Sequence, residues 1–177
     1  MKKIFYKLPS ELNWIILPNK KDHIILSQFL LYIAVAHLNL GLSYASLGNP
    51  SKAIQILEAI EVIDDDGLKD PKTHLTTQVT ALFNAGKLLL EMGRASEAVT
   101  RLRKAEKTGR AVNYQAQGIL NVLGEAYQAL NRTLEAEKSF QAALQVKPDH
   151  IPAYLTYGKL LAKNVRYNIF YPLFVIT

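Results

Sequence analysis

From Ala34 onward, small and large apolar residues recur at helical spacing in blocks that echo one another, with polar residues between them. In the block Gln117 to His150, counted from Gln117, Leu120 falls at position 4, Leu123 at 7, Gly124 at 8, Tyr127 at 11, Ala136 at 20, Phe140 at 24, Ala143 at 27 and Pro148 at 32. The same marks return as Gly41, Tyr44, Gly48, Ala53, Leu57 and Ile60 upstream, then as Gly86, Leu89, Gly93, Ala98, Leu102 and Ala105. A further set opens at Ile151 with Tyr154, Tyr157, Gly158 and Leu161. The position-8 glycines are 45, 38 and 34 residues apart, so a 34-residue unit is interrupted twice, and both interruptions fall between units. The pattern predicts two antiparallel helices per unit, A then B, and an all-α chain.

The spacing has a packing cause. Small residues at positions 8, 20 and 27 let helix backbones approach, and large ones at 4, 7, 11 and 24 fill the space between them. Glycine in a helix costs about 1 kcal/mol relative to alanine, so four glycines in one register imply close contact. Gly48 and Gly93, at position 15, suit the turn from A to B, where a positive φ is needed, and Asn131 takes that place in the third unit.

A 34-residue helical hairpin with these marks resembles the tetratricopeptide repeat. The resemblance implies a helix-hairpin solenoid, a right-handed superhelix of three full repeats (34–67, 79–112 and 117–150) and a partial one (151–164). Residues 1–33 lie outside the pattern. Their apolar stretch continues into the first repeat, so that Ile24 to Leu42 has about the length of a membrane span. Because its second half is already required as helix A, an apolar capping helix is the preferred reading and membrane association the lesser one. Pro9, Glu11 and Asn13 break up any signal-peptide core. Val165 to Thr177 reads as an apolar, aromatic tail that replaces the last helix B. An apolar face is then left uncovered, and self-association there is an open expectation. The longer interruption, Leu68 to Gln78, reads as an insertion between repeats. It follows Asp64, Asp65 and Asp66, a run that lacks the glutamate a calcium loop needs at its twelfth position.

Composition removes several chemistries. The 177 residues include no Cys and four scattered His, with no metal-ligand, nucleophile-elbow or phosphate-loop motif, so no cofactor, metal or catalytic residue is expected. The net charge of +6 is unevenly placed, with an acidic first repeat and a basic second one that offset each other and a positive excess at both ends of the chain. Helix B of the second repeat carries Arg94, Arg101, Arg103, Lys104, Lys107 and Arg110, interleaved with Glu97 and Glu106 and without stacking aromatics. No nucleic acid is therefore expected as a partner.

Five pieces point to a narrower family: His37 to Gly41, Gly67 to His74, Leu120 to Glu125, Pro148 to Pro152, and Leu155 to Leu161. Over about seven tenths of the chain these resemble the repeats of the transmembrane and tetratricopeptide repeat-containing family of the endoplasmic reticulum. The resemblance implies a luminal array joined to a membrane portion that transfers mannose from a lipid donor to cadherin-type domains. The 177 residues hold no such polytopic portion. The expectation is thus a truncated or spliced form, with unrelated ends, that keeps a recognition surface without the transferase. Activity as a mannosyltransferase and a cytosolic scaffold or RNA-processing adaptor are the alternatives.

In such arrays helix A lines a concave groove through positions 2, 5, 6, 9, 12 and 13. These are Asn39 and Leu42, then Phe83, Asn84, Lys87 and Glu91, then Asn121, Glu125 and Gln128, and finally Lys159 and Lys163. Amides and charges beside one aromatic suit a protein or extended peptide. Repeats that clamp a chaperone's terminal carboxylate carry basic residues where this chain has Gly118 and Val122, so that ligand is not expected. Asn131-Arg132-Thr133 is a glycosylation sequon in an inter-helix turn.

Overall fold

A computed structural model describes residues 5–6, 15–16, 20–60 and 70–174, with side chains for 29–60 and 70–163 of the helical part. Among the described residues seven helices follow one another: α1 (Lys20–Ser46), α2 (Pro50–Ala59), α3 (Pro71–Glu91), α4 (Ala95–Ala111), α5 (Gln117–Ala129), α6 (Thr133–Val146) and α7 (Ile151–Phe174). The architecture is an all-α tetratricopeptide-like solenoid of about three and a half hairpins. A two-residue antiparallel ladder precedes it, in which β1 (Phe5–Tyr6) pairs with β2 (Ile15–Ile16). The acidic run Asp64 to Asp66 and residues 1–4, 7–14 and 17–19, with Pro9, Glu11 and Asn13 among them, lie outside the described residues.

Each hairpin turn is built alike. Gly48, Gly93 and Asn131 hold φ of 74°, 77° and 57°. In each, this residue's N–H bonds three residues back and the next N–H five residues back, as in Asn131 to Gln128 and Arg132 to Tyr127. This is the Schellman closure, which satisfies carbonyls at the end of helix A.

The position-8 glycines explain the pairing of A with B. A Cβ on Gly41 would stand 2.7 Å from the Leu57 side chain, one on Gly86 2.7 Å from Leu102, and one on Gly124 2.5 Å from Phe140. The large residue at position 24 thus seats on the glycine three times over. Phe140, Leu102 and Leu57 are fully buried, and a continuous core runs from Ile54 through Leu89, Leu102 and Leu123 to Leu160.

Two stretches differ from the sequence expectation. Most of the insertion Leu68 to Gln78 is helix, because α3 begins at Pro71, two turns before the repeat boundary. Asp70 caps it by accepting from the Thr73 N–H at 3.1 Å, Pro71 occupies the first turn, and His74, Thr77 and Gln78 extend the buried face. The tail does not replace helix at position 15 either, since α7 continues to Phe174. Val165 stands where the other repeats place Gly or Asn, and a β-branched residue does not take the positive φ that ends helix A. At the other end, residues 20–33 form one helix with helix A of the first repeat.

Candidate functional site

Helices α1, α3, α5 and α7 stand in a row, each touching the next, with α2, α4 and α6 behind them. The groove positions named from the sequence lie on this row. Asn39 is exposed and Leu42 half-buried at the α1 end, while Lys87, Glu91, Lys159 and Lys163 are exposed. Phe83, Asn84, Glu125 and Gln128 are half-buried, and Asn121 is 5% exposed.

The structure brings four of these side chains and one unforeseen one into relation. Asn121 Nδ2 donates to Glu125 Oε1 at 2.9 Å, and Thr156 Oγ1 donates to Asn121 Oδ1 at 2.6 Å. This bridge ties α7 to α5 across the groove floor. Asn121 therefore positions Glu125, and its amide is already engaged at both ends. Burial raises the Glu125 carboxyl above its ordinary value, opposed by the Asn121 hydrogen bond and by Lys159 and Lys87, which flank it. Asn84 Nδ2 donates to the Thr80 carbonyl at 2.8 Å, which fixes the amide at the groove wall. A cationic rim around a half-buried carboxylate and ordered amides can read alternating charges and peptide groups.

Other expected residues are placed differently. Phe83 leans on α5, its Cζ 3.7 Å from where a Gly118 Cβ would be, and it packs on the core. Asn39 and Leu42 lie at the far end of the row from the Glu125 cluster. Thr156 was the residue missed, although its position 6 in the last repeat belongs to the groove-lining register. Val122, at one of the clamp positions, is buried. A cleft of about 210 Å³ between α4 and α6, lined by Arg103, Glu106, Tyr127, Glu135 and Lys138, includes none of the groove residues.

Three of the six basic side chains at α4 are paired with carboxylates. Arg101 pairs with Glu58 of α2 at 2.8 Å, Arg94 with Glu97 at 2.6 Å, and Arg110 with Glu106. No group of His, Asp or Glu capable of holding a metal occurs among the described residues. The window Phe29–Ser46 of α1 is long and apolar enough to cross a membrane, and only 17% of it is buried. That helix nonetheless seats Leu57 on Gly41 and buries Leu30 and Ala34 within the array.

The fold and groove define a helix-hairpin repeat domain. Models of the tetratricopeptide repeat match residues 34–61 and 83–151. The first such domain of human RPAP3 superposes with a TM-score of 0.62 at 17% identity, covering 78% of this chain and 97% of that one. The second human RPAP3 domain, solved in complex with the HSP70 peptide SGPTIEEVD, gives 0.59 at 16% identity, covering 76% and 97%. Protein O-mannosyl-transferase TMTC2 of Mus musculus is 45% identical over 105 residues, which are 59% of this chain and 12% of the mouse protein. The chain belongs to the tetratricopeptide repeat family and is homologous to the repeat region of the TMTC protein O-mannosyl-transferases. It spans 12–15% of the length of the curated relatives it matches.

Proposed function

We propose that the chain is a non-catalytic binding module that holds an extended segment of a partner protein along the row of A helices, in the lumen of the endoplasmic reticulum. The observation that carries this reading is the groove cluster, where Lys87 and Lys159 flank the half-buried Glu125 and the Asn121 amide is held between Glu125 and Thr156. The RPAP3 domain that shares the fold is described with a bound peptide. Homology to the O-mannosyl-transferases supports a place beside that reaction, and the chain matches only a small part of those enzymes. Asn39, Leu42, Phe83, Asn84, Lys87, Asn121, Glu125, Gln128 and Lys159 are proposed to form the contact surface, with Asn121 acting through Glu125. Asn131, exposed in its turn, is the proposed glycan acceptor.

The test is a fluorescence screen of the 177-residue chain against an array of synthetic peptides, repeated with Asn84→Ala and Lys87→Ala combined. Bound peptides should weaken at least about tenfold, the worth of one or two polar contacts, while the melting temperature stays put. Unchanged binding would remove the groove from the proposal. An endoglycosidase mobility shift lost in Asn131→Gln would support the luminal site.

A further inference from the structure

The bridge from Thr156 to Glu125 runs in one of two directions. Thr156 Oγ1 stands 2.6 Å from Asn121 Oδ1, 2.9 Å from the Pro152 carbonyl oxygen and 3.2 Å from that of Ala153. All three are acceptors, and a hydroxyl has one proton to give. With Glu125 ionised, that proton goes to Asn121 Oδ1, and Asn121 Nδ2 donates to Glu125 Oε1 at 2.9 Å. With Glu125 protonated, an unturned amide leaves the carboxyl O–H facing the groove, where the ammonium groups of Lys87 and Lys159 only donate. A half-turn of the amide about its Cβ–Cγ bond removes the conflict. The carboxyl O–H then donates to Asn121 Oδ1, Nδ2 donates to Thr156 Oγ1, and the Thr156 O–H swings to the Pro152 carbonyl, which is already within reach.

Both arrangements match every donor of the bridge with an acceptor, and they differ by one proton. Asn121 is 5% exposed, so water does not stand in for either partner and the amide must take one orientation or the other. Helices α3, α4, α6 and α7 all pack on α5, and the charges that act on Glu125 are Lys159 of α7 and Lys87 of α3. Burial favours the protonated arrangement and the two ammonium groups oppose it, which keeps the two states close in energy. We propose that Glu125, Asn121 and Thr156 form a proton-operated switch in the groove, in which protonation of Glu125 turns the Asn121 amide and reverses the hydrogen bonds to Thr156. The groove then shows a ligand a neutral acid between two lysines, where at higher pH it shows a carboxylate. The bearing on ligand binding rests on the groove reading above, whereas the switch itself is a property of the free chain.

The test follows the isotope-labelled 177-residue chain by NMR, without ligand, from neutral pH down through the carboxylate range. The Glu125 carboxyl carbon reports the titration, and nuclear Overhauser contacts of the Asn121 side-chain NH2 report the turn. At neutral pH these protons should lie nearest the Glu125 γ-methylene, and below the Glu125 midpoint nearest the Thr156 side chain, so that the ratio of the two contacts inverts along the carboxyl titration. Glu125→Gln has no proton to take up and should show one pattern at every pH. Thr156→Val keeps the shape but removes the acceptor that receives Nδ2 after the turn, so the amide should stay with Glu125 throughout, whereas Thr156→Ser keeps the hydroxyl and should keep the inversion. The backbone amide spectrum checks that each variant holds the parent's fold. Asn121 contacts in the parent that remain with Glu125 at every pH would overturn the proposal. So would an inversion that persists in Glu125→Gln or in Thr156→Val. Because no peptide enters the experiment, failure of the groove as a peptide site leaves this result standing, and failure of the switch leaves peptide capture standing.

Discussion

Gly124 on α5 and Gly158 on α7 hold the same position in successive repeats and live in opposite surroundings. At Gly124 the Phe140 ring lies where a methyl group would have to go, whereas among the described residues no atom beyond its own helix backbone comes within 4 Å of a Cβ on Gly158. The lesson is that the glycine register records a pairing requirement, and only the neighbouring helix decides whether it is met. In α5 the conformational cost of glycine is offset by close packing of α6, and in α7 that cost stands alone.

Removing the occupant of the filled seat should have the largest effect. Phe140 is fully buried, stacks near Tyr157 with ring centroids 6.0 Å apart, and closes the core between α5, α6 and α7. Phe140→Ala should cost about 3–5 kcal/mol in urea unfolding. Leu134→Ala, at a residue of the same helix that is 72% exposed, should change little. A loss under about 1 kcal/mol for Phe140→Ala would mean that the seat contributes no packing.

The glycines themselves sharpen the comparison, because one substitution should act with opposite signs. Gly124→Ala places its methyl 2.5 Å from Phe140 and should destabilise by about 1–3 kcal/mol as an overpacked site, less the gain in helix propensity. Gly158→Ala gains up to about 1 kcal/mol of propensity with no clash to offset it. Parallel urea titrations decide the matter, and two shifts of the same sign would break the contrast.

The parts legible from sequence were those in which a single residue type has no substitute. Gly48, Gly93 and Asn131 stand in the left-handed turns because few other residues tolerate them, and Gly41, Gly86 and Gly124 stand where a side chain would collide. What stayed hidden depended on partners distant in sequence. Thr76, Thr77 and Gln78 read as a polar insertion, yet Thr77 and Gln78 are buried on a helix whose start is set by Asp70 and Pro71. The groove register named Asn121 as a contact residue, but its bond to Thr156, 35 residues away, makes it a support for Glu125. Val165 was visible as an exception to the turn rule. That the helix then continues to Phe174 follows from the missing stop, since nothing at that position breaks the helix.

The smallest expected effect lies in the groove and compares α5 with itself at two values of pH. Burial raises the folded-state value of the Glu125 carboxyl above the unfolded one, so the folded chain binds the proton more tightly than the unfolded chain does. Below the unfolded value both states are protonated and Glu125 imposes no penalty. As the pH rises through the folded value, the half-buried carboxylate must ionise and stability is lost, with Lys87, Lys159 and the Asn121 amide recovering part of it. Glu125→Gln removes this titration while keeping an acceptor for Asn121 Nδ2. Its stability relative to the parent should therefore rise from mildly acidic to neutral pH, and the difference should fade as the pH falls through the carboxylate range. Lys159→Met should act in the other direction, raising the Glu125 value further and deepening the loss at neutral pH. If Glu125→Gln and the parent keep a constant difference across that range, the carboxylate does not sit in the desolvated setting that the groove gives it.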